Sequence, residues 1–414
     1  MELYGNGRVV LVDDPDTAGR LGWGPRKRSA PAPEFRLGPV SGDPAQEPWI
    51  AQGRIAPGGG PRALWQGGGS GWTYLAGCPG LDRYLKAMAE PPRLRELVVG
   101  ISGLGRVGGL AASALAAADR TRTRIGTLLL HDCDGDNLER MRQELACVAS
   151  WRGAAALPRV EAAPLAELLR RCDAFVFAAA RGVPPLGAPG EVRLPQFGPN
   201  REALRGALDA ALEADYTGLF FVISDPVELL AQASFHDSNG SGSEFLGGGL
   251  APERVAGLAL GIMWGRALAR AEAEGCGARV ARRGVPYGPH STDVLVFDDP
   301  AGPDPALSLA MTQAARTGNY RIRDLGYIPC IGPALSSIVL TLPALLQGRE
   351  VLASSLVDGI YFGAPSRLRW GLAPTRRAVA PGVRQQVEAL HGLVRERMAQ
   401  FGVAFAPGHN LVPS

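Results

Sequence analysis

Residues 94–108 read LRELVVGISGLGRVG, an apolar run that enters a turn made of Gly103, Gly105 and Gly108 and then opens the alanine-rich stretch RVGGLAASALAAADR (106–120). A short apolar run bounded by turn residues reads as a buried strand, and the alanine-rich segment behind it as a helix. In that setting the three glycines have separate uses: a tight turn, close approach of backbone N–H groups to a pyrophosphate, and close packing of helix on strand. The positive end of the helix favours the anion. The motif alone is weak, and its neighbour in the chain strengthens it: the next strand, IGTLLLHD (125–132), ends on Asp132. A carboxylate there holds a ribose 2′-hydroxyl and repels a 2′-phosphate, so the expected cofactor is NAD, with NADP disfavoured. Arg106 and His131 leave some room for a phosphate, and a glycine turn that binds nothing is the bland alternative.

Further along the chain the alternation continues. DNLERMRQELACVAS (136–150) and REALRGALDAALEA (201–214) read as helices, DAFVFAAA (173–180) and GLFFVISDP (218–226) as strands. Strands alternating with helices imply a parallel sheet with helices on its faces. A polar insert, HDSNGSGSEFLGGG (236–249), then interrupts the pattern. Beyond it we expect a helical stretch over 252–274, hairpin-like strands in ARRGVPYG (281–288) and TDVLVFDD (292–299), and a long helix over 333–347. The strand-like LASSLVDGIYFGAP (352–365) and a last helix over 381–400 complete the chain. Residues 1–94 are different: Gly and Pro recur at short intervals and periodicity is weak, as in loop-rich or partly disordered chain. Within them GRVVLVDD (7–14) reads as strand and LDRYLKAMAE (81–90) as helix. The expected class is α/β: a loop-rich extension (1–94), a Rossmann-type dinucleotide-binding domain on a parallel sheet (95–230), and an α+β catalytic domain (231–414).

The 414 residues carry 43 basic against 40 acidic side chains, with no run of five like charges, so neither a nucleic-acid surface nor an anionic-membrane surface is expected. Lys27 and Lys86 are the only lysines. Beyond them Schiff-base chemistry, a P-loop lysine and a Tyr-Lys pair are excluded, which leaves His, Asp, Glu, Cys, Ser and Arg for catalysis. The 6 cysteines form no CxxC and no short Cys/His cluster, so a metal site is not expected. The apolar stretches near 255–265 and 335–346 are too short to span a bilayer, and the first residues do not have the pattern of a secretion signal. A cytoplasmic location is expected.

Two further residues suggest chemistry. His290 lies in VPYGPHSTDVLVF, between a Gly-Pro turn and a strand, where an imidazole serves as proton donor and acceptor beside a carbonyl undergoing hydride transfer. Arg266 ends the apolar run VAGLALGIMWGR (255–266), and a guanidinium facing a cleft from such a helix forks onto a carboxylate. The plain readings are a packed or surface histidine and a snorkelling arginine.

These segments, in this order, resemble the lactate/malate dehydrogenase family over residues 95–380. The resemblance rests on GLGRVG, Asp132, GEVRL (190–194), ISDPVELL (223–230), VAGLALGIMWGR, YGPHSTD (287–293), IGPALSSIV (331–339) and DGIYFGAP (358–365). It implies an oxidoreductase that interconverts a 2-hydroxy acid and a 2-oxo acid, uses NAD, binds a small carboxylic acid and forms a homo-oligomer. It also implies roles: His290 as acid/base, Arg266 as the carboxylate anchor, and Arg193 of GEVRL as a loop cation that polarises the carbonyl. A lone Arg in a Pro/Gly-rich loop is otherwise an ordinary surface charge.

The sequence also departs from that family. Where the family has an Asp that pairs with the catalytic histidine, three residues before the anchor, this chain has Met263. Asp225 stands where the family usually has Asn, so the carboxylate has a candidate replacement. Asp225 has two other readings, as a partner for a cationic group on the substrate and as a turn cap before Pro226. The loop position that distinguishes lactate from malate enzymes is Gly187, and Pro329 replaces a small hydroxyl residue. Neither lactate nor malate is therefore the expected substrate. Two alternatives stand beside the leading reading: a reductase of an amine- or imine-bearing substrate, and an NAD-binding homologue with little or no activity.

Overall fold

In the structure, a computed structural model, the strand LVVGIS sits within the parallel part of a nine-stranded sheet. The structure describes residues 96–403, apart from 150–152, 154–155, 189, 240–248, 251–253, 358, 369–371 and 376. Nearer the N-terminus it describes Gly19, Pro25 and three short strands. Those strands, β1 (Leu3–Gly5), β2 (Val9–Val12) and β3 (Phe35–Leu37), form a small sheet of their own, and β2 falls in the segment expected to be extended. The helix expected over 81–90 lies outside the described residues.

The large sheet is built from β4 (Leu97–Ser102), β5 (Ile125–His131), β6 (Arg159–Ala162), β7 (Ala174–Phe177), β8 (Leu219–Val222) and β9 (Val255–Gly257). The strands β12 (Glu350–Val357), β13 (Ile360–Leu368) and β14 (Leu372–Pro374) extend it, in the order 14-13-12-9-8-7-4-5-6. Pairing is parallel from β6 through β9 and antiparallel from β9 to β14. Successive residues of a strand point to opposite faces, and here they join two different cores. Leu128 and Leu130 of β5, Ala174 and Val176 of β7, and Leu219 and Phe221 of β8 belong to one core. Leu129, Phe175, Phe177, Phe220 and Val222 belong to the other. Both faces are dry, which is why these strands read as continuous apolar runs rather than alternating ones.

Helices α1 (Arg106–Ala116), α2 (Arg120–Thr123), α3 (Gly135–Ala146), α4 (Leu165–Arg171), α5 (Phe197–Glu213) and α6 (Val227–Ser238) alternate with the parallel strands, as the sequence pattern requires. Strand order reverses at β4, since the chain moves outward to β5 and β6 and then returns to β7 on the other side. The crevice beyond the carboxyl ends of β4 and β7 is therefore the place where this topology accepts a ligand.

The second half differs from expectation in four places. The apolar run after residue 252 is not one helix, because Val255–Gly257 pairs with β8 before the chain turns into α7 (Leu260–Ala273). Helix α8 (Gly277–Arg283) precedes the two-stranded pair β10 (Val285–Tyr287) and β11 (Leu295–Phe297), so Arg282 and Arg283 are helical rather than extended. A 20-residue helix, α9 (Pro305–Asp324), was not anticipated. Asp304 caps it by accepting from the N–H groups of Ala306 and Leu307, and Pro305 occupies its first turn.

The region expected as one helix near 333–347 is broken. It consists of α10 (Ile331–Ala334), a π-helical segment at Leu335–Val339 and α11 (Thr341–Leu346). The final helix, α12 (Pro381–Gln400), docks Leu390, Val394 and Met398 into the core that holds Phe175 and Phe220.

Candidate active site

A continuous cavity of about 730 Å³ begins at the glycine turn after β4 and ends at His290. At its first end Gly103 has φ +94°, a left-handed conformation that an L side chain rarely adopts, and an added Cβ would lie 2.3 Å from the Ala179 nitrogen. A Cβ on Gly108 would lie 1.9 Å from the Gly103 carbonyl oxygen, so α1 packs this closely only with glycine there. Gly105, the residue before α1, has open space where its side chain would be. No side chain caps α1 and no acidic residue occupies its first turn. Its unpartnered N–H groups and positive end thus face open space, and a pyrophosphate fits that environment.

Asp132 closes β5 beside this turn. Its carboxylate accepts from the Leu104 N–H (2.6 Å), the Asp134 N–H (3.0 Å) and the Asn137 amide (3.2 Å). Partial burial pushes its pKa up, but the donors together outweigh that and hold it below the ordinary value. About four lone-pair directions belong to a carboxylate, so room remains for a ribose hydroxyl. His131 faces the same cavity, its Nδ1 3.0 Å from the Ser102 hydroxyl, and Arg106 also lines it.

At the far end the structure brings Arg193, Asp225, Arg266 and His290 together from four separate segments. His290 is 8% exposed, and its Nδ1 lies 3.0 Å from the Ala259 carbonyl just before α7. A carbonyl only accepts, so the ring proton of the neutral imidazole sits on Nδ1 and the Nε2 lone pair faces Asp225 Oδ1 at 3.9 Å. Burial, then the charges of Arg193 and Arg266, hold the His290 pKa well below its ordinary value. The ring is neutral at pH 7.

Arg193 is 3% exposed rather than an exposed loop charge. It precedes a short 3₁₀ turn, Leu194–Gln196, that leads into α5, and its guanidinium lies 3.3 Å from Glu191 and 3.9 Å from Asp225 Oδ1. Asp225 follows β8. Its Oδ1 is shielded from solvent without a hydrogen-bond partner, and its backbone carbonyl accepts from the Asn200 amide at 2.6 Å. Burial raises the Asp225 pKa to about 6, with Arg193 and Arg266 opposing the shift and Glu191 adding to it.

Arg266 projects from α7 toward α9. Its Nη1 donates to the Ala315 carbonyl at 3.3 Å and lies 3.6 Å from the Met263 sulfur. Gly318 makes room for it, since a Cβ there would lie 2.5 Å from Arg266 Cδ. Burial, then Arg193, lowers the Arg266 pKa to about 10, and Asp225 opposes the shift, so the guanidinium stays charged near neutrality. Met263 is fully buried in the core between α7 and α9. Its position therefore supplies hydrocarbon and sulfur to Arg266, and the imidazole takes its orientation from Ala259 instead.

Sequence reasoning missed Glu191, Asn319, Arg323, Glu228 and the Ala259 carbonyl. Buried positions of α9 recur every fourth residue as Leu307, Met311, Ala315, Asn319 and Arg323, so its apolar stripe ends in two polar groups on the cavity wall. Arg323 Nη2 donates to the carbonyls of Pro184 and Pro185, fastening the segment that contains Gly187. Glu228 is buried, accepts from the Ser354 hydroxyl at 2.6 Å, and is pushed up to about 7 by burial. Pro329, singled out for its place in the sequence, also lines the cavity. Among the described residues no group of three or more His, Cys, Asp or Glu side chains is placed to hold a metal, and no helix is long and apolar enough to cross a membrane.

No protein-family model and no curated protein matches the sequence. Solved structures do match. A minor L-lactate dehydrogenase from Enterococcus mundtii superposes with a TM-score of 0.60 at 17% identity, covering 74% of this chain and 98% of its own. Malate dehydrogenase from Plasmodium falciparum gives 0.61 at 13% identity, covering 74% and 99%. Malate dehydrogenase from Archaeoglobus fulgidus, solved in complex with NADH, gives 0.58 at 16% identity, covering 74% and 100%. The chain has the fold of the lactate and malate dehydrogenases.

Proposed function

We propose that the protein is an NAD-dependent oxidoreductase that interconverts a 2-hydroxy acid and a 2-oxo acid. The observation that carries this reading is the cavity itself, which joins an uncapped glycine turn to a buried histidine flanked by two arginines. Gly103, Gly105 and Gly108 with the start of α1 would hold the pyrophosphate, and Asp132 the ribose. When bound, the dinucleotide supplies or accepts the hydride. NAD is favoured over its 2′-phosphorylated form because Asp132 is ionised and faces the ribose position.

Arg266 receives the substrate carboxylate through the guanidinium donors it does not spend on Ala315. That contact also places the C2 oxygen near His290 Nε2 and the Arg193 guanidinium. With its proton fixed on Nδ1, the neutral imidazole takes the hydroxyl proton at Nε2 during oxidation and returns it during reduction. Arg193 stabilises negative charge growing on that oxygen. An anionic substrate offsets the two guanidinium charges that depress the His290 pKa, so binding brings the ring closer to the range in which it exchanges a proton. Asp225 lies close enough to compensate the imidazolium electrostatically and so assumes part of the task that position 263 no longer performs.

One observation favours a second reading, an NAD-binding homologue with little turnover. His290 has a carbonyl instead of a carboxylate at Nδ1, and Asp225 at 3.9 Å lies beyond hydrogen-bond distance of Nε2. Steady-state NADH oxidation against a panel of 2-oxo acids separates the two. The enzyme reading predicts turnover that falls about 10²–10⁴-fold in His290→Ala. NADH binding without turnover for any 2-oxo acid would support the second.

A further inference from the structure

Two oxygens on the substrate half of the cavity wall are buried and accept no hydrogen bond, Oδ1 of Asp225 and Oδ1 of Asn319. The Asn319 side chain is only 6% exposed, so solvent does not satisfy it. A buried acceptor without a donor is costly to keep, and one that lines a ligand cavity is relieved when the ligand brings the donor.

The nearby positive charge is already partly committed. Arg323 gives Nη2 to the Pro184 and Pro185 carbonyls, and Arg193 leans on Glu191 and Asp225. Arg181 lines the cavity as an exposed side chain. Gly187 has open space around it and brings no charge for a second carboxylate. Arg266 retains donors for one carboxylate, while Asp225 and Asn319 await donors. A neutral-tailed hydroxy acid satisfies Arg266 and leaves both oxygens bare. A dicarboxylate sets a second anion against Asp225.

We propose that the natural substrate is zwitterionic, with its carboxylate on Arg266 and a protonated amine held by Asp225 and Asn319. This inference rests on the oxidoreductase reading of the cavity and narrows its substrate class. Asp225 Oδ1 is 3.9 Å from both Arg193 Nε and His290 Nε2, the two groups that face the C2 oxygen, so the amine sits on the carbon next to the reacting one. The required chemistry is a carboxylate and an ammonium separated by two carbons, as in a 3-amino-2-hydroxy acid. With a pKa of about 6, Asp225 is ionised at pH 7.5 and attracts such a cation.

Calorimetric titration at pH 7.5 tests the charge pattern without turnover. Lactate, malate, alanine and isoserine (3-amino-2-hydroxypropanoate) are titrated into NADH-saturated protein and into protein without dinucleotide. Isoserine is expected to bind about tenfold tighter than lactate, and malate more weakly than lactate. Alanine binding tighter than isoserine would put the amine on the reacting carbon and overturn the proposal. In Asp225→Asn, checked for folding by circular dichroism, the advantage over lactate disappears, and in Asn319→Leu it shrinks. Lactate binding as tightly as isoserine in the unmodified protein overturns the proposal, as does an advantage that persists in Asp225→Asn. Absence of NADH binding would instead count against the oxidoreductase reading, because the ranking in protein without dinucleotide still reports the charge pattern.

Discussion

At the glycine-turn end of the cavity Asp132 takes three hydrogen bonds and sits below its ordinary carboxyl range, whereas at the far end Asp225 leaves Oδ1 without a hydrogen bond and sits above its own. Both residues follow strands of the same sheet and open onto the same cavity. The contrast separates a carboxylate that the protein satisfies by itself from one that it leaves a ligand to satisfy. The first end is assembled from neighbours in sequence, and its carboxylate is satisfied before anything binds. The second is assembled from distant segments and holds a carboxylate, a neutral imidazole and two guanidinium groups in poor balance.

The largest expected effect tests the preassembled end. In Gly108→Ala the new Cβ meets the Gly103 carbonyl at 1.9 Å, and either α1 or the turn must move. We expect NADH affinity to fall about a hundredfold, because the helix N-terminus no longer approaches the pyrophosphate. Calorimetry reads this directly, and unchanged affinity would show that the turn is not a phosphate cradle. Lactate or isoserine binding without dinucleotide should change far less in the same variant.

A second effect sharpens the contrast through pH. The folded pKa of Asp225 is raised, so the stability linked to its protonated form is fully present below the unfolded value of 3.8 and is lost as pH rises through about 6. Asp225→Asn imitates the protonated form and lacks that loss. It should melt at a temperature close to that of the unmodified protein at pH 4 and above it at pH 8, by an amount corresponding to about 3 kcal/mol. Asp132 behaves oppositely: its folded pKa is lowered, so its contribution is present above 3.8 and is lost as pH falls through the folded value. Asp132→Asn should therefore lose stability at pH 8. Melting curves of the two variants with the same sign of change at pH 8 would erase the difference between the two ends.

The same division explains what could be read from the sequence. The parallel half announced itself because β4, β5, β7 and β8 are dry on both faces, and the glycine turn and Asp132 lie in one short βαβ unit. Strand β9 was hidden in VAGLALGIMWGR, where an apolar run continues unchanged from strand into helix and no periodicity marks the join. Helix α9 did carry a start signal in Asp304-Pro305 and an apolar repeat at Leu307, Met311 and Ala315, but Gly318 and Asn319 weaken the pattern toward its end. The structure shows why those two residues are there: one makes room for Arg266 and the other faces the cavity. His290, Arg266, Arg193 and Asp225 were identifiable as chemical types in a recognisable order. Their partners were not, because a backbone carbonyl such as that of Ala259 has no signature in sequence, and Glu191 and Arg323 look like ordinary surface charges until the chain folds around them.

If the two ends of the cavity form one functional site, a ligand at one end changes affinity at the other, and that coupling is directly measurable. The affinity of NADH is determined from nicotinamide fluorescence with and without oxamate, an unreactive mimic of a 2-oxo acid, in the unmodified protein and in Arg266→Leu. We predict that oxamate tightens NADH binding about fivefold or more in the unmodified protein and has no effect in Arg266→Leu. NADH affinity indifferent to oxamate in both proteins would contradict a shared site.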